Sequence, residues 1–391
     1  MTDVAFLNLM DPAFRVDSPD VRAAAERHWY AQTPMGPAVL AYDDCVELVR
    51  DRRLRQVGLD HIAMQGVSTG LAADWWGNTL ISLEGETHHR QRRLLAKAFT
   101  PRRVEALRPW MRTIVTELID ELEHRGECEF MADFADRYPP RVMYELLGLP
   151  EEEHAQFLRW GKDLAGIGGM SVAENRPRIE AALAGLYDAT DRLCAERRAH
   201  PRDDLLTALV QATEEGDRLS MQELRYHVAG FVFGGQDTTR NQLGLGMYVF
   251  TRHPDQWALL AERPDLAANA VEEVMRVAPT VPIIWRVATE DISYRDLEIP
   301  AGTRLWLFVA TAHQEAGPFD ITRESPPQLT FGGGVHHCLG AMQARAELSE
   351  ALPLLAARLG PVELAGEPQW RSLFDGLVGP ISLPIRYKGA T

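Results

Sequence analysis

The run from Met221 to Arg252 constrains the fold more than any other stretch of the chain. Apolar residues recur there at helical spacing for about thirty residues without a proline, and a helix of that length rises roughly 45 Å, enough to cross a whole domain. Ser220, with Glu223 three residues on, supplies a capping-box start. Asp237, Arg240 and Asn241 in its interior argue against a membrane span. So long a helix needs a large body to pack against. The 391 residues, 46% hydrophobic and 25% charged, suffice for one domain over 1–391 with a buried cavity, and wholesale disorder is excluded. The net charge of −15 speaks against a nucleic-acid binder. The opening MTDVAFLNLMDPAF is not a signal peptide, which points to the cytoplasm and to no membrane attachment.

Helical periodicity also marks Glu86–Phe99, Val104–Glu123, Arg178–Ala199, Leu266–Val277 and Ala341–Leu359. Strand signals are short and mostly late: Ala38–Ala41, Ile283–Val287, Ile292–Tyr294, Arg304–Val309 and Ile381–Ile385. The expected class is mainly α with small β-sheets. The four cysteines, Cys45, Cys128, Cys194 and Cys338, form no Cys-x-x-Cys pair, which excludes a zinc ribbon.

Two segments break the rules of stability. Gly234-Gly235-Gln236-Asp237-Thr238-Thr239 puts two glycines inside the long helix, where they weaken it and are expected to open its hydrogen-bond ladder. Phe331-Gly332-Gly333-Gly334-Val335-His336-His337-Cys338-Leu339-Gly340 then places three glycines ahead of a cysteine at the start of a helix. A helix N-terminus stabilises a thiolate. One sulfur without a companion suits haem iron, where the porphyrin supplies the other four ligands. The bland alternatives are a buried Cys in a Gly-rich turn and a Thr bonded back to its own helix.

The segment 331–340 resembles the haem-binding signature of the cytochrome P-450 family, Phe-Gly-x-Gly-x-His-x-Cys-x-Gly, at every defined position. The resemblance implies the P-450 fold, with haem b buried between the long helix 221–252 and the helix after the cysteine. It makes Cys338 the iron ligand. Phe331 and Gly332 belong to its loop, and Gly340 lets the following helix approach the porphyrin. His88, Arg92, Arg286 and His336 become partners of the haem propionates. Glu273 and Arg276 match the family's Glu-x-x-Arg and become a buried structural pair. Asp237 and Thr238 match the oxygen-activation motif, the hydroxyl holding dioxygen or an ordered water and the carboxylate relaying protons. Trp75, Trp76, Ile81, Phe231, Ile283, Ile284 and Phe374 fall at pocket-lining positions for a hydrophobic small molecule.

The same resemblance implies a monooxygenase that hydroxylates or epoxidises its substrate, with natural-product tailoring as the expected setting. The chain leaves no room for a flavin or nicotinamide domain, so electrons would come from ferredoxin and ferredoxin reductase. Arg90, Arg93, Lys97, Arg102 and Arg103 offer a docking patch for such an acidic donor. One segment departs from the family: Ala312–Asp320 is short and lacks the Asn-Arg-Asp-Pro tetrapeptide. Two rivals remain, a non-oxygenating haem-thiolate binding protein and a zinc hydrolase using His336, His337 and Cys338.

Overall fold

In the computed structural model, which describes residues 4–11, 14–214, 216–324 and 326–389, the stretch Met221–Arg252 is one unbroken helix of 32 residues. Its capping box closes in both directions: Ser220 Oγ accepts from the Glu223 amide at 3.2 Å, and the Ser220 amide donates to the Glu223 carboxylate at 2.8 Å. The paired glycines do not open the helix, contrary to the expectation. Gly235 instead makes room for a neighbour, since a Cβ there would stand 1.8 Å from Cε of Met143. At Gly230 and Gly234 nothing lies within 4 Å of the same position, so the helix face shared by residues 230, 234 and 238 borders open space.

The helices that build the site are α1 (Leu71–Gly77), α2 (Gly85–Ala98), α3 (Pro101–Leu122), α4 (Tyr138–Leu147), α5 (His154–Ala165), α6 (Val172–Ala199), α7 (Met221–Arg252), α8 (Ala267–Val277) and α9 (Ala341–Leu359). The apolar stripes of α3, α4, α6, α7 and α9 meet in one core that includes Leu118, Phe134, Tyr138, Leu186, Met247 and Leu352. Helix α3 packs along α9, and α7 crosses between α4 and α8. Helix α6 starts six residues before the expected Arg178. Pro177 is only its sixth residue, so the helix loses one internal hydrogen bond and continues.

The strands are short. β1 (Tyr30–Ala31), β2 (Ala38–Val39), β3 (Leu54–Arg55), β4 (Ile284–Ala288) and β5 (Arg304–Leu307) form one sheet in the order β1-β2-β5-β4-β3. Only the β2–β5 pairing is parallel, with Trp306 opposite Ala38. Arg286 sits opposite Leu305 in the middle of β4, which fixes where its guanidinium starts. A separate hairpin pairs β6 (Gln369–Trp370) with β7 (Pro380–Ser382) across an irregular register.

Four of the residues expected to line the pocket are buried. Trp75 is 0% exposed; its indole donates to the Tyr226 carbonyl at 3.1 Å and its ring packs edge-on against Phe233. Trp76 donates to the Gly58 carbonyl at 3.0 Å. Ile283 and Ile284 are neighbours that enter different clusters, the first with Leu40 and Phe308, the second with Leu48 and Leu307. No helix among the described residues is long and apolar enough to cross a membrane.

Removing the cap of α7 by Ser220→Ala should lower the unfolding free energy by about 1 kcal/mol, as read from urea unfolding of the holoprotein.

Candidate active site

The cysteine loop is tied by its own backbone. The Gly332 amide donates to the Leu329 carbonyl and the Cys338 amide to the Phe331 carbonyl, both at 2.8 Å. Gly332 and Gly334 take φ of +70° and +63°, which only glycine adopts without strain. Cys338 comes just ahead of α9 and its side chain faces open space. Even so, enough protein surrounds it that desolvation pushes its thiol up, while the Gly340 and Ala341 amides and the Arg92 and Arg345 guanidiniums pull the other way. Arg345 lies over the Phe331 ring, 4.6 Å from its centroid, and is held there by Glu272.

Basic side chains converge beside the loop, and two of them, Arg92 and Arg286, pair with no carboxylate among the described residues. Arg286 is 2% exposed and bonds to Gln56 Oε1 at 3.0 Å and to the Trp285 and Val49 carbonyls. No carboxylate pairs with it among the described residues, and burial lowers its pKa to about 10. His88 is buried with both ring nitrogens unpartnered. Burial and the nearby His336 and Arg92 hold it at about 4. His336 lies tilted against His88 with centroids 4.4 Å apart and bonds to Glu84 Oε2 at 3.0 Å. Arg92 donates to the His337 carbonyl at 2.6 Å, so α2 grips the loop directly.

Behind the loop lies the pair Glu273 and Arg276, each side chain 1% exposed, joined by two bonds of 2.7 and 2.8 Å. Arg276 also reaches the His313 and Pro318 carbonyls, and Glu273 accepts from the Asp320 amide at 3.1 Å. His313 stands in the segment that lacks the family tetrapeptide. Its Nδ1 lies 3.1 Å from the Arg276 carbonyl, so it donates, and its Nε2 accepts from the Leu329 amide at 2.8 Å. The substituted segment is therefore bonded on both sides, a role that sequence reasoning missed.

On the opposite side, Thr238 Oγ1 donates to the Gly234 carbonyl at 2.6 Å, the back-bonded geometry, with its oxygen lone pairs still able to accept. Asp237 is not free: Arg371 clamps both its oxygens, at 2.7 and 2.9 Å. Nothing in the sequence around Arg371 signals this contact. Phe231 stacks on Phe99 with centroids 6.0 Å apart, Ile81 is exposed and Phe374 is half-buried. The proposed docking patch is in part committed elsewhere. Arg90 pairs with Asp217 and Glu223, pinning α2 to the start of α7, and Arg103 pairs with Asp203.

The residues fit a flat cofactor carrying two carboxylates and needing one sulfur. Cys338 would supply the sulfur, the Arg286 guanidinium, which no carboxylate pairs among the described residues, the charge, and the unpartnered ring nitrogens of His88 a hydrogen bond. A tetrahedral ion has no such set: no three His, Cys, Asp or Glu come together among the described residues.

Comparison with known proteins agrees with this arrangement. A family model described as Cytochrome P450 matches residues 174–265 and 256–358. Luteothin monooxygenase of Streptomyces thioluteus is 39% identical over 397 residues, covering 99% of this chain and 97% of that protein. Mycinamicin IV hydroxylase/epoxidase of Micromonospora griseorubida is 37% identical over 78% of this chain and 79% of its own length. The structure of cytochrome P450 CYP109Q5 from Chondromyces apiculatus superposes with a TM-score of 0.86 at 27% identity, over 99% of both chains.

Replacing Glu273 by Gln strands Arg276 in the core, which should cost about 3–5 kcal/mol; the purified variant should carry less haem per chain than the parent, and its unfolding should shift to match. The pH dependence has a definite sign. Burial lowers His313 to about 4 and His227 to about 3, against roughly 6.5 in the unfolded chain. The unfolded state therefore takes up protons first. Stability should be full above about pH 6.5 and fall as the pH drops toward 4, by at most ~1.4 kcal/mol per unit for each histidine, measured by urea unfolding across that range.

Proposed function

The chain belongs to the cytochrome P450 family and is a haem-thiolate monooxygenase, and from that premise we propose which of its residues carry the work and on what kind of molecule. Cys338 would supply the sulfur that holds the haem iron. The observation that carries this assignment is a single sulfur at the head of α9, facing open space beside a guanidinium, Arg286, that no carboxylate pairs among the described residues and a buried His88 ring with both nitrogens unpartnered. His88, Arg92, Arg286 and His336 hold the propionates of haem b. Bound there, haem supplies the dioxygen chemistry.

The remaining roles belong to side chains. Thr238 gives its hydroxyl proton to the Gly234 carbonyl, which leaves its oxygen to accept a hydrogen bond at the face of α7 that borders open space and to orient what lies there. Asp237 moves protons toward it when its ion pair opens. Glu273 and Arg276 hold the cysteine loop still, so that the sulfur stays in place through turnover. Phe231, Phe374 and Ile81 remain candidates for substrate contact, and the buried Trp75, Trp76, Ile283 and Ile284 shape the walls.

The substrate class follows from the relatives. Two of them are named for luteothin and for mycinamicin IV, so the substrate proposed here is a hydrophobic natural product that undergoes hydroxylation or epoxidation. Electrons arrive from a separate ferredoxin and its reductase in the cytoplasm.

The test is spectral. Cys338→Ser should abolish the red-shifted ferrous carbonyl band that a thiolate ligand gives, while the variant still folds by circular dichroism. A band retained in the folded variant would overturn the assignment.

A further inference from the structure

One side chain keys α2 to α7. Gln91 stands three residues after His88 and one before Arg92, and it is buried, 4% exposed. Its carboxamide spans a full turn of α7: Oε1 lies 2.7 Å from His227 Nε2, and Nε2 donates to Glu223 Oε1 at 3.0 Å. His227 and Glu223 are four residues apart, so they stand one above the other on that helix. The chemistry of the partners settles which way the amide points. An ionised carboxylate only accepts, so the Gln91 NH2 group faces Glu223 and its oxygen faces His227. His227 therefore carries its proton on Nε2 and donates it. The imidazole is buried, and burial with the nearby Arg90 charge keeps it neutral. Glu223 is fixed in turn, its other oxygen accepting from the Ser220 amide at 2.8 Å and its first pairing with Arg90.

We propose that Gln91 and His227 are positioning residues: their hydrogen bond, with that of Gln91 to Glu223, sets the rotation of α2 about its axis and so places His88 and Arg92 for the haem propionates. The proposal rests on the reading of His88 and Arg92 as propionate partners. His88, Gln91 and Arg92 share one face of α2, since residues three and four apart lie together. The other buried residues of the helix, Leu94, Leu95 and Ala98, pack by apolar contact, which is non-directional and tolerates a small rotation. Two hydrogen bonds at the ends of one planar amide do not. If they were lost, α2 would be free to turn, and His88 and Arg92 would turn with it. Arg92 would then let go of the His337 carbonyl, and His88 would move off the ring of His336. The effect on the cofactor has a sign. Reduction adds negative charge at the haem, so a cation held close favours the reduced form and a cation moved away favours the oxidised one.

The experiment uses holoprotein with Gln91→Leu, His227→Leu, the double variant and His227→Gln, which keeps an N–H donor near the same place. Ser220→Ala is the control, because it loosens the same end of α7 and leaves the Gln91 bonds in place. Two quantities are read: the rate at which haem passes to excess apomyoglobin, and the midpoint potential of the substrate-free protein. Each leucine variant leaves a buried polar partner unsatisfied, and haem should leave about tenfold faster. The potential should fall in both. The double variant should add little to either single one. His227→Gln should return both readings most of the way to the parent, and Ser220→Ala should keep the parental potential. Should the leucine variants fail to fold, Gln91→Asn, whose shorter amide cannot reach both partners, should shift both readings in the same direction. A parental potential in the Gln91 variants, or no recovery in His227→Gln, would overturn the proposal and leave the pair as packing alone. The propionate reading is tested apart from it by His88→Phe and Arg92→Leu: if neither alters haem transfer or potential, that reading fails. If these two do and the Gln91 and His227 variants do not, only the positioning role falls.

Discussion

The buried pair of Glu273 and Arg276 is the interaction on which the rest of the site depends. Removing two charges from water is costly, and their attraction offsets that cost only when the remaining hydrogen-bonding groups are satisfied. Here they are: the His313 and Pro318 carbonyls and the Asp320 amide complete the set. The pair thereby fastens α8 to the segment 313–320, and His313 carries the restraint on to Leu329. From Leu329 the bonds run through Gly332 and Phe331 to the amide of Cys338. The position of the sulfur is thus set by an ion pair more than sixty residues earlier in the chain. Thr330 adds a second tie, its hydroxyl donating to the Met275 carbonyl at 3.1 Å.

The two faces of the site use different physics. The cysteine side is rigid and polar, built from backbone bonds, a charge over an aromatic ring and buried cations. The α7 side depends on missing atoms. Gly235 lets Met143 press against the helix, while Gly230 and Gly234 leave the neighbouring stripe open above Thr238. The buried Gln236 is accommodated in the same way, since Gly161 on α5 has no side chain to strike it; a Cβ there would come within 2.6 Å of its amide oxygen. Glycine here costs helix propensity and gives proximity.

Local features were legible in the sequence, and long-range ones were not. The ends of α7 and α9 could be read because a cap, a glycine and periodicity are properties of neighbouring residues. The loop around Cys338 could be read because its glycines and its position before a helix have a chemical reason together. The Glu273–Arg276 spacing was visible, but its burial was expected only through the family resemblance, since an i, i+3 pair on a solvated face looks the same. The clamp of Arg371 on Asp237 joins residues 134 apart, and the bond of His336 to Glu84 joins residues 252 apart. Neither leaves a periodic trace. The tryptophans show a related gap: an aromatic residue near a pocket and one behind its wall have identical composition, and the bonds of Trp75 and Trp76 to carbonyls leave no trace in the sequence.

The seam at Gly235 also bears on how the protein responds to heat. The centre of α7 owes its order to what leans on it, Met143 from α4 and Gly161 from α5, because its own residues there are weak helix formers. Its ends are anchored by a cap and by apolar packing, so warming should soften the middle before either terminus. The softened stretch is the one that carries Asp237 and Thr238. Oxygen chemistry should therefore lose its fidelity at temperatures where the folded body, by every bulk measure, is still intact.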